Sequence, residues 1–370
     1  MALSRKATAS KRSGGARSRK PRATPRPSPP KSIADAEDRS PLVVWAVSDG
    51  RAGIESQVLG LAEAIGRLTP IVLVRKHVRF TPGYDRLPSA LKLAPRRFLA
   101  AGSDRIDAPW PDLWIGAGRA SIPFALRLRR WSKGRTFVVQ AQNPRWPARL
   151  FDLVAPPRHD GLSGPNVVAI TGSPHRVTPE RLAAELKPFA RALKPLPSPR
   201  VAMLVGGKSK AHDLSAGRAA TMADQIAGAV REAGGSLLLT FSRRTPEAAK
   251  AAMVQRLEGL PGVIWDGEGP NPYFAFLAAA DHILVTEDSA NMATEAASTG
   301  KPVQVLKMDG RSRKLRRLHD ELEALGAARP FAGTLETWAY APLRETDRLA
   351  RQVLDRLRRR DPLATERPPR

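Results

Sequence analysis

Short apolar runs bounded by glycine, proline or charge alternate with helix-period stretches, twice over, on either side of a proline cluster. This rhythm constrains the fold more than any other feature of the chain. The first round opens with Leu42-Val43-Val44-Trp45-Ala46-Val47, which reads as a strand buried on both faces. It stops at Ser48-Asp49-Gly50-Arg51-Ala52-Gly53, after which Ile54, Val58, Leu61, Ala62 and Ile65 recur at helical spacing. Further strands are expected over 71–74, 113–115 and 137–139. The alternation then pauses in a Pro/Gly-rich stretch, where short strands are expected near Leu153 and over 167–170, with one helix over 179–193. Lys194-Pro195-Leu196-Pro197-Ser198-Pro199 denies both helix and central strand and reads as a linker.

The second round begins at once. Val201-Ala202-Met203-Leu204-Val205 ends in Gly206-Gly207-Lys208-Ser209-Lys210, and a helix follows to about Ala233. Strands over 237–240, 263–265, 282–285 and 303–305 come next, with helices between them, one over 246–257. Strands alternating with helices specify an α/β chain of two Rossmann-like, doubly wound domains facing a cleft. The boundaries are 41–195 and 196–343, preceded by a basic tail over 1–40 and followed by a basic helix or tail over 344–370. The 370-residue length and 42% hydrophobic content suffice for two such cores. Rich in Ser, Pro, Arg and Ala, residues 1–40 cannot offset the entropy of ordering and are expected to be disordered.

Charge and cysteine usage exclude whole classes of chemistry. With no cysteine there is no disulfide framework, thiolate nucleophile, Cys-ligated zinc or iron–sulfur cluster. The net charge is +26; the first 31 residues supply +10 and the last 27 supply +4, so +12 remains on the body between them. A body so charged suits an anionic partner: phosphate, nucleotide, anionic lipid or nucleic acid. No nucleic-acid module is recognisable, so specific nucleic-acid binding is not expected. No apolar run approaches the roughly 20 residues of a spanning helix, and the start lacks an apolar signal region. The expectation is a cytoplasmic protein that can lie peripherally on an anionic inner-membrane surface.

In an open parallel sheet, ligands lie off the carboxyl ends of the strands, so the loops there carry the candidate residues. The first offers Asp49, Gly50, Arg51 and Gly53 at a helix start, in a spacing that matches neither the dinucleotide fingerprint nor a P-loop; a tight turn capped by Asp49 reads it equally well. The second, Gly206-Gly207-Lys208-Ser209, brings glycines, a cation and a hydroxyl to a helix start, a geometry suited to a diphosphate. A third, Thr240-Phe241-Ser242-Arg243-Arg244-Thr245-Pro246, presents hydroxyls and guanidiniums, whose forks match phosphate oxygens. The stretch from Ala280 to Val303 places Ser289 and Asn291 after a strand and Glu295 one turn into a helix that Gly300-Lys301-Pro302 ends. A carboxylate there can accept from a pair of ribose hydroxyls, or can be an ordinary helix residue.

The pattern strand, T/S-x-x-S-x-x-x-x-x-E-A-A-x-x-G-K-P, strand resembles the sugar-nucleotide half of GT-B glycosyltransferases, notably the enzyme that adds N-acetylglucosamine to lipid-linked muramyl peptide. The resemblance implies that Glu295 holds the nucleotide ribose and that Gly206-Gly207-Lys208-Ser209 stands where those enzymes have a Gly-Gly-Ser loop. A longer set of strings resembles the mitochondrial-fission "elongated mitochondria" family. It comprises Val47-Ser48-Asp49-Gly50-Arg51-Ala52-Gly53 with residues 57–64, residues 140–144 and 151–160, Gly164-Pro165-Asn166, Gly172-Ser173-Pro174-His175-Arg176-Val177-Thr178 and Ser242-Arg243-Arg244-Thr245-Pro246. That likeness runs from about Val43 to Gly333. It implies a GT-B-like two-domain fold; plant members act in fission at the mitochondrial surface, and bacterial members are often labelled nucleoside-diphosphate-sugar proteins.

The expectation is therefore a nucleotide-sugar binder with possible glycosyl transfer to an acceptor, the nucleotide-sugar serving as co-substrate and no other cofactor or metal being required. The donor would be held by Gly206, Gly207, Lys208, Ser209, Ser242, Arg243, Ser289, Asn291 and Glu295, with the acceptor near Gly50, Arg51 and Gly53. His159, followed by Asp160, is the best candidate for the base that transfer requires, then Asp49 and His175. No His-x-x-x-His or paired-carboxylate cluster points to a metal. The alternative is a non-catalytic, membrane-peripheral scaffold or regulatory protein that keeps the same fold.

Overall fold

In the computed structural model, residues 40–88 and 91–360 are described. The basic tail read over 1–40 falls outside them except for Ser40, as do residues 361–370. The first lobe carries β1 (Leu42–Ser48), α1 (Ala52–Gly66), β2 (Ile71–His77), α2 (Pro82–Arg86), β3 (Leu113–Gly116), α3 (Ile122–Trp131), β4 (Phe137–Gln140) and β5 (Leu153–Val154). The connection holds α4 (Pro179–Leu186) and α5 (Ala190–Leu193). The second lobe runs through β6 (Arg200–Val205), β7 (His212–Asp213), α6 (Ala216–Glu232), β8 (Ser236–Phe241), α7 (Glu247–Leu257), β9 (Gly262–Trp265), α8 (Tyr273–Ala279) and β10 (His282–Thr286). It continues through α9 (Ala290–Ala297), β11 (Val303–Leu306), β12 (Asp309–Gly310), α10 (Arg313–Ala324) and β13 (Ala328–Pro330), and α11 (Glu345–Arg360) follows.

Both main sheets are parallel. The first has the order β2-β1-β3-β4-β5 and the second β13-β11-β10-β6-β8-β9, while β7 and β12 make a small antiparallel ribbon. Each opening strand is buried on both faces. Along β1, Val44 and Ala46 enter one core cluster while Trp45 and Val47 enter the cluster on the opposite face. Along β6, Ala202 and Leu204 point one way and Val201, Met203 and Val205 the other. This period-2 division of an all-apolar run is what helices on both faces of a parallel sheet require.

The strand orders fix where a ligand can sit. In the first sheet the chain steps from β1 to β2 on one side and then to β3 on the other. In the second, β8 and β9 are added on one side of β6, and β10, β11 and β13 on the other. Each sheet therefore has a switch point, β1/β3 in one and β6/β10 in the other, where the loops leaving adjacent strands diverge and open a crevice.

Two local expectations are corrected. Residues 167–170 form no strand; Val167 and Ile170 make isolated bridges to Val154 and Pro157. The helix expected over 179–193 is broken. Thr178 caps its start by accepting from Arg181 N at 3.1 Å with Pro179 in the first turn, but Pro188 lies in a tighter 3-10 turn, Lys187–Phe189, that separates α4 from α5. Of the two alternatives for 344–370, helix or tail, residues 345–360 form the helix α11. Leu349, Ala350, Val353, Leu354 and Leu357 lie in the first lobe's core beside α1, whereas Val177 and Leu193 lie in the second lobe's core. The chain thus crosses between lobes twice.

Candidate functional site

At the second switch point, two loops and one buried carboxylate form a single unit. The fully buried Asp288 accepts from Gly207 N at 3.0 Å, from Arg244 Nη2 at 2.8 Å and from Thr286 Oγ1 at 2.8 Å, while Gly206 N donates to Thr286 Oγ1 at 2.7 Å. Arg244 Nη1 also donates to the carbonyls of Gly207 and Lys208, and Lys208 N returns a bond to the Arg244 carbonyl. A Cβ on Gly206 would overlap the Asp288 carboxylate, and one on Gly207 would overlap the Arg244 carbonyl. The glycines are needed because backbone and carboxylate approach this closely.

The nominated residues here divide by what they are free to do. The Ser209 hydroxyl accepts from Ala211 N and His212 N, and that of Ser242 accepts from Arg244 N, so both serve their own turns. Lys208 makes an exposed pair with Asp213 at 2.9 Å. Arg243 is exposed and pairs with no acid among the described residues. Two cations thus stand at the rim of a backbone loop that Asp288 and Arg244 hold rigid.

Ser289, Asn291 and Glu295 sit on α9, which lies against α1 of the first lobe. Ser289 caps α9 by accepting from Met292 N. Asn291 accepts from Gln57 Nε2 at 2.9 Å and Ser173 Oγ at 2.7 Å and donates to the Gly53 carbonyl at 2.9 Å. Gln57 accepts in turn from Gln142 Nε2, and Gln142 accepts from Gly118 N at the first switch point. One turn further on, Glu295 accepts from Ser56 Oγ at 3.0 Å and from Tyr273 OH at 2.6 Å. Burial pushes the Glu295 carboxyl above its ordinary pKa and, more strongly, the Tyr273 hydroxyl above its own. Both carboxylate oxygens are therefore engaged in this conformation, one of them across the lobes. A Cβ on Gly53 would press on Asn291 Nδ2 across the lobes.

The base candidates stand apart from one another. Asp49 leaves β1 and accepts from Arg51 N at 3.1 Å and Arg51 Nε at 2.9 Å, so the Arg51 guanidinium neutralises it. Gly50 turns the chain at φ +78°, and its N–H donates to Ser48 Oγ. His159 follows β5 at the far edge of the sheet, its Nε2 at 4.0 Å from Asp160 Oδ1, with Lys314 holding Asp160 at 2.7 Å. Burial and, secondarily, Lys314 lower the His159 pKa to about 4, so the ring is neutral and a weak base at pH 7. His175 is a structural hub. Its Nδ1 accepts from Val177 N, so Nε2 carries the proton and donates to Ser298 Oγ at 2.8 Å; burial lowers its pKa to about 4. Among the described residues no group of three or more His, Asp or Glu is arranged to hold a metal ion.

Sequence reasoning missed Asp288, Ser56, Gln57, Gln142 and Tyr273, and it offered the Arg244 guanidinium to phosphate where that group is held by Asp288 and the Gly207 and Lys208 carbonyls. Asp288 had a readable signal, since Thr286-Glu287-Asp288-Ser289 puts a carboxylate directly after a buried strand at a switch point. The rest depend on long-range pairing that no local pattern encodes.

Two doubly wound parallel sheets, each with its own switch point, define a GT-B-type protein. The fold is shared with the UDP-GlcNAc 2-epimerase of Methanocaldococcus jannaschii, with a TM-score of 0.51, 12% identity and coverage of 85% of this chain and 100% of that one. It is shared as well with a putative UDP-N-acetylglucosamine 2-epimerase of Listeria monocytogenes, with a TM-score of 0.50, 14% identity and coverage of 89% and 92%. At these identities the likeness is one of fold. The model of the mitochondrial fission ELM1 family matches residues 52–357, and the chain belongs to that family. It is 30% identical over 270 residues to mitochondrial fission protein ELM1 of Arabidopsis thaliana, covering 66% of this chain and 63% of that protein, which is less than two thirds of the plant relative. It is 26% identical over 351 residues to the uncharacterized protein RP120 of Rickettsia prowazekii (strain Madrid E), covering 83% and 96%.

Proposed function

We propose that the protein binds a nucleoside-diphosphate-sugar between its lobes, with the pyrophosphate at the loops that follow β6 and β8. The observation that carries this reading is the second switch point. There the exposed, acid-free Arg243, with Lys208 in an exposed pair with Asp213, borders a glycine loop whose shape is locked from below by Asp288 and Arg244. A pre-formed backbone loop with cations at its rim suits phosphate oxygens, which guanidinium forks bind in pairs. A protein of the same fold, the M. jannaschii epimerase, has been solved in complex with UDP-GlcNAc and UDP. Binding is better supported than turnover, because Arg51 neutralises Asp49 and His159 is too weak a base. Glycosyl transfer is the second reading, and in it Glu295 would take the ribose only after releasing Ser56.

Thermal shift with UDP, GDP, ADP and their sugar conjugates tests this. One nucleotide series raises Tm by a few degrees. Arg243→Ala weakens nucleotide affinity about tenfold, the loss of one charge-assisted bond, which shrinks the shift at a given ligand concentration and leaves the ligand-free Tm unchanged. The reading fails if every nucleotide leaves Tm where it was, or if Arg243→Ala binds as well as the parent.

A further inference from the structure

Between β2 and β3 the chain is turned inside out. In Leu91-Lys92-Leu93 the two leucines are 59% and 73% exposed, and the lysine between them is 0% exposed. Lys92 Nζ reaches inward to the Asp85 carbonyl at 3.1 Å and the Asp85 carboxylate at 3.3 Å, and lies over the rings of Phe80 and Tyr84. Arg119 fixes the same loop by donating to the carbonyls of Asp85 and Leu87. Burying an ammonium while exposing two leucines costs free energy in water, so a segment pinned this way presents its apolar side outward by construction. Phe98, 42% exposed, joins them, and the three line one open groove with Tyr84, Leu87 and Ala94.

We infer that this edge of the first lobe is a docking surface for an anionic lipid bilayer. Two observations choose the occupant. The first is charge: Arg86 and Arg97, the sequence neighbours of the groove residues Leu87 and Phe98, are exposed and pair with no acid among the described residues, while Asp85 is taken by Lys92. The second is size. Three exposed apolar side chains fall far short of the roughly 20–30 residues a side that a stable protein interface uses. Insertion into a bilayer needs no such area: it gains about 0.8 kcal/mol per buried CH₂, and each nearby cation adds about 1 kcal/mol on an anionic surface. No helix among the described residues is long and apolar enough to cross a membrane, so this contact is peripheral.

Vesicle flotation of the full chain tests it, using phosphatidylcholine alone and phosphatidylcholine with 30% phosphatidylglycerol. The expected result is binding to the anionic vesicles, cut about tenfold or more by Leu91→Ser with Leu93→Ser and weakened by Arg86→Glu with Arg97→Glu. The N-terminal basic stretch also attracts anionic lipid, but that attraction is screened by 0.5 M salt and blind to the leucines. Equal binding by parent and leucine variant therefore overturns the inference, as does binding to neither vesicle. So does self-association in solution that the leucine change abolishes, because the groove is then a contact between copies. Independently of these variants, the chain has no native cysteine, so Leu93→Cys carries an environment-sensitive fluorophore uniquely. Its emission shifts to the blue on anionic vesicles, whereas the same label at Glu232→Cys, on the other lobe, does not move. A label at position 93 that stays unshifted contradicts the inference.

Discussion

Asp288 shows how far one side chain can determine a site. Its two oxygens, themselves fully buried, hold a glycine N–H, a threonine hydroxyl and a guanidinium in fixed positions. Asp288→Ala should cost about 3 kcal/mol in denaturant unfolding, because it strands two buried donors and frees Arg244. A loss near zero would mean the loops hold their shape unaided. His175 makes a different prediction, one that depends on pH. Its folded pKa is about 4 against an ordinary 6.5, so above pH 6.5 the ring is neutral whether folded or not. Between pH 6.5 and 4 only the unfolded ring takes up a proton, and folding loses roughly 3 kcal/mol over that window. His175→Gln should flatten the fall in Tm from pH 7 to pH 4; a slope equal to the parent's would contradict the buried neutral ring. His159, shifted in the same direction, maintains a second slope that this variant leaves in place.

At the scale of elements, α1 and α9 matter most, because their packing joins the lobes. Gly60 on α1 lies so close to the His175 backbone that a Cβ would overlap its carbonyl. On an ordinary helix Gly→Ala is favourable by roughly 0.5–1 kcal/mol, and Gly228→Ala on α6, where nothing lies within 4 Å of the new Cβ, should gain that much. Gly60→Ala should instead lose about 2 kcal/mol, the cost of overpacking a tight contact. Opposite signs in urea unfolding are expected; a gain at both positions would deny the close approach. These elements also show what the sequence could convey. The strands at 42–48, 200–205 and 282–286 were legible because an apolar run bounded by glycine or polar loop has few other fates. The fate of α11 was harder to read: Leu349, Val353 and Leu357 recur at helical spacing, but Arg-rich surroundings concealed that this face packs back on the first lobe. The break at Pro188 has a local cause, since a proline inside a helix removes a hydrogen bond and clashes with the preceding turn.

At the scale of the molecule, two switch points face one another through loops from both lobes, with a hydrogen-bonded seam along α1 and α9 beside them. That Gly206, Gly207 and Arg243 lie on loops leaving the carboxyl ends of strands was legible from the alternation of strands and helices along the chain. That Glu295 and Asn291 are spent on that seam did not, because Ser56, Gln57 and Tyr273 are brought to them only by the tertiary fold. If a nucleotide-sugar takes Glu295, it must compete with Ser56, so ligand binding and loosening of the seam are one event. Ser56→Ala should then tighten nucleotide binding severalfold in calorimetry, and weaker binding would count against that competition. The most direct test of the whole account is hydrogen exchange with and without whichever nucleotide-sugar raises Tm. The account predicts slowed exchange over residues 205–210 and 242–246, with the 91–99 segment unchanged. Ligand binding that protects neither of those two loops would contradict it.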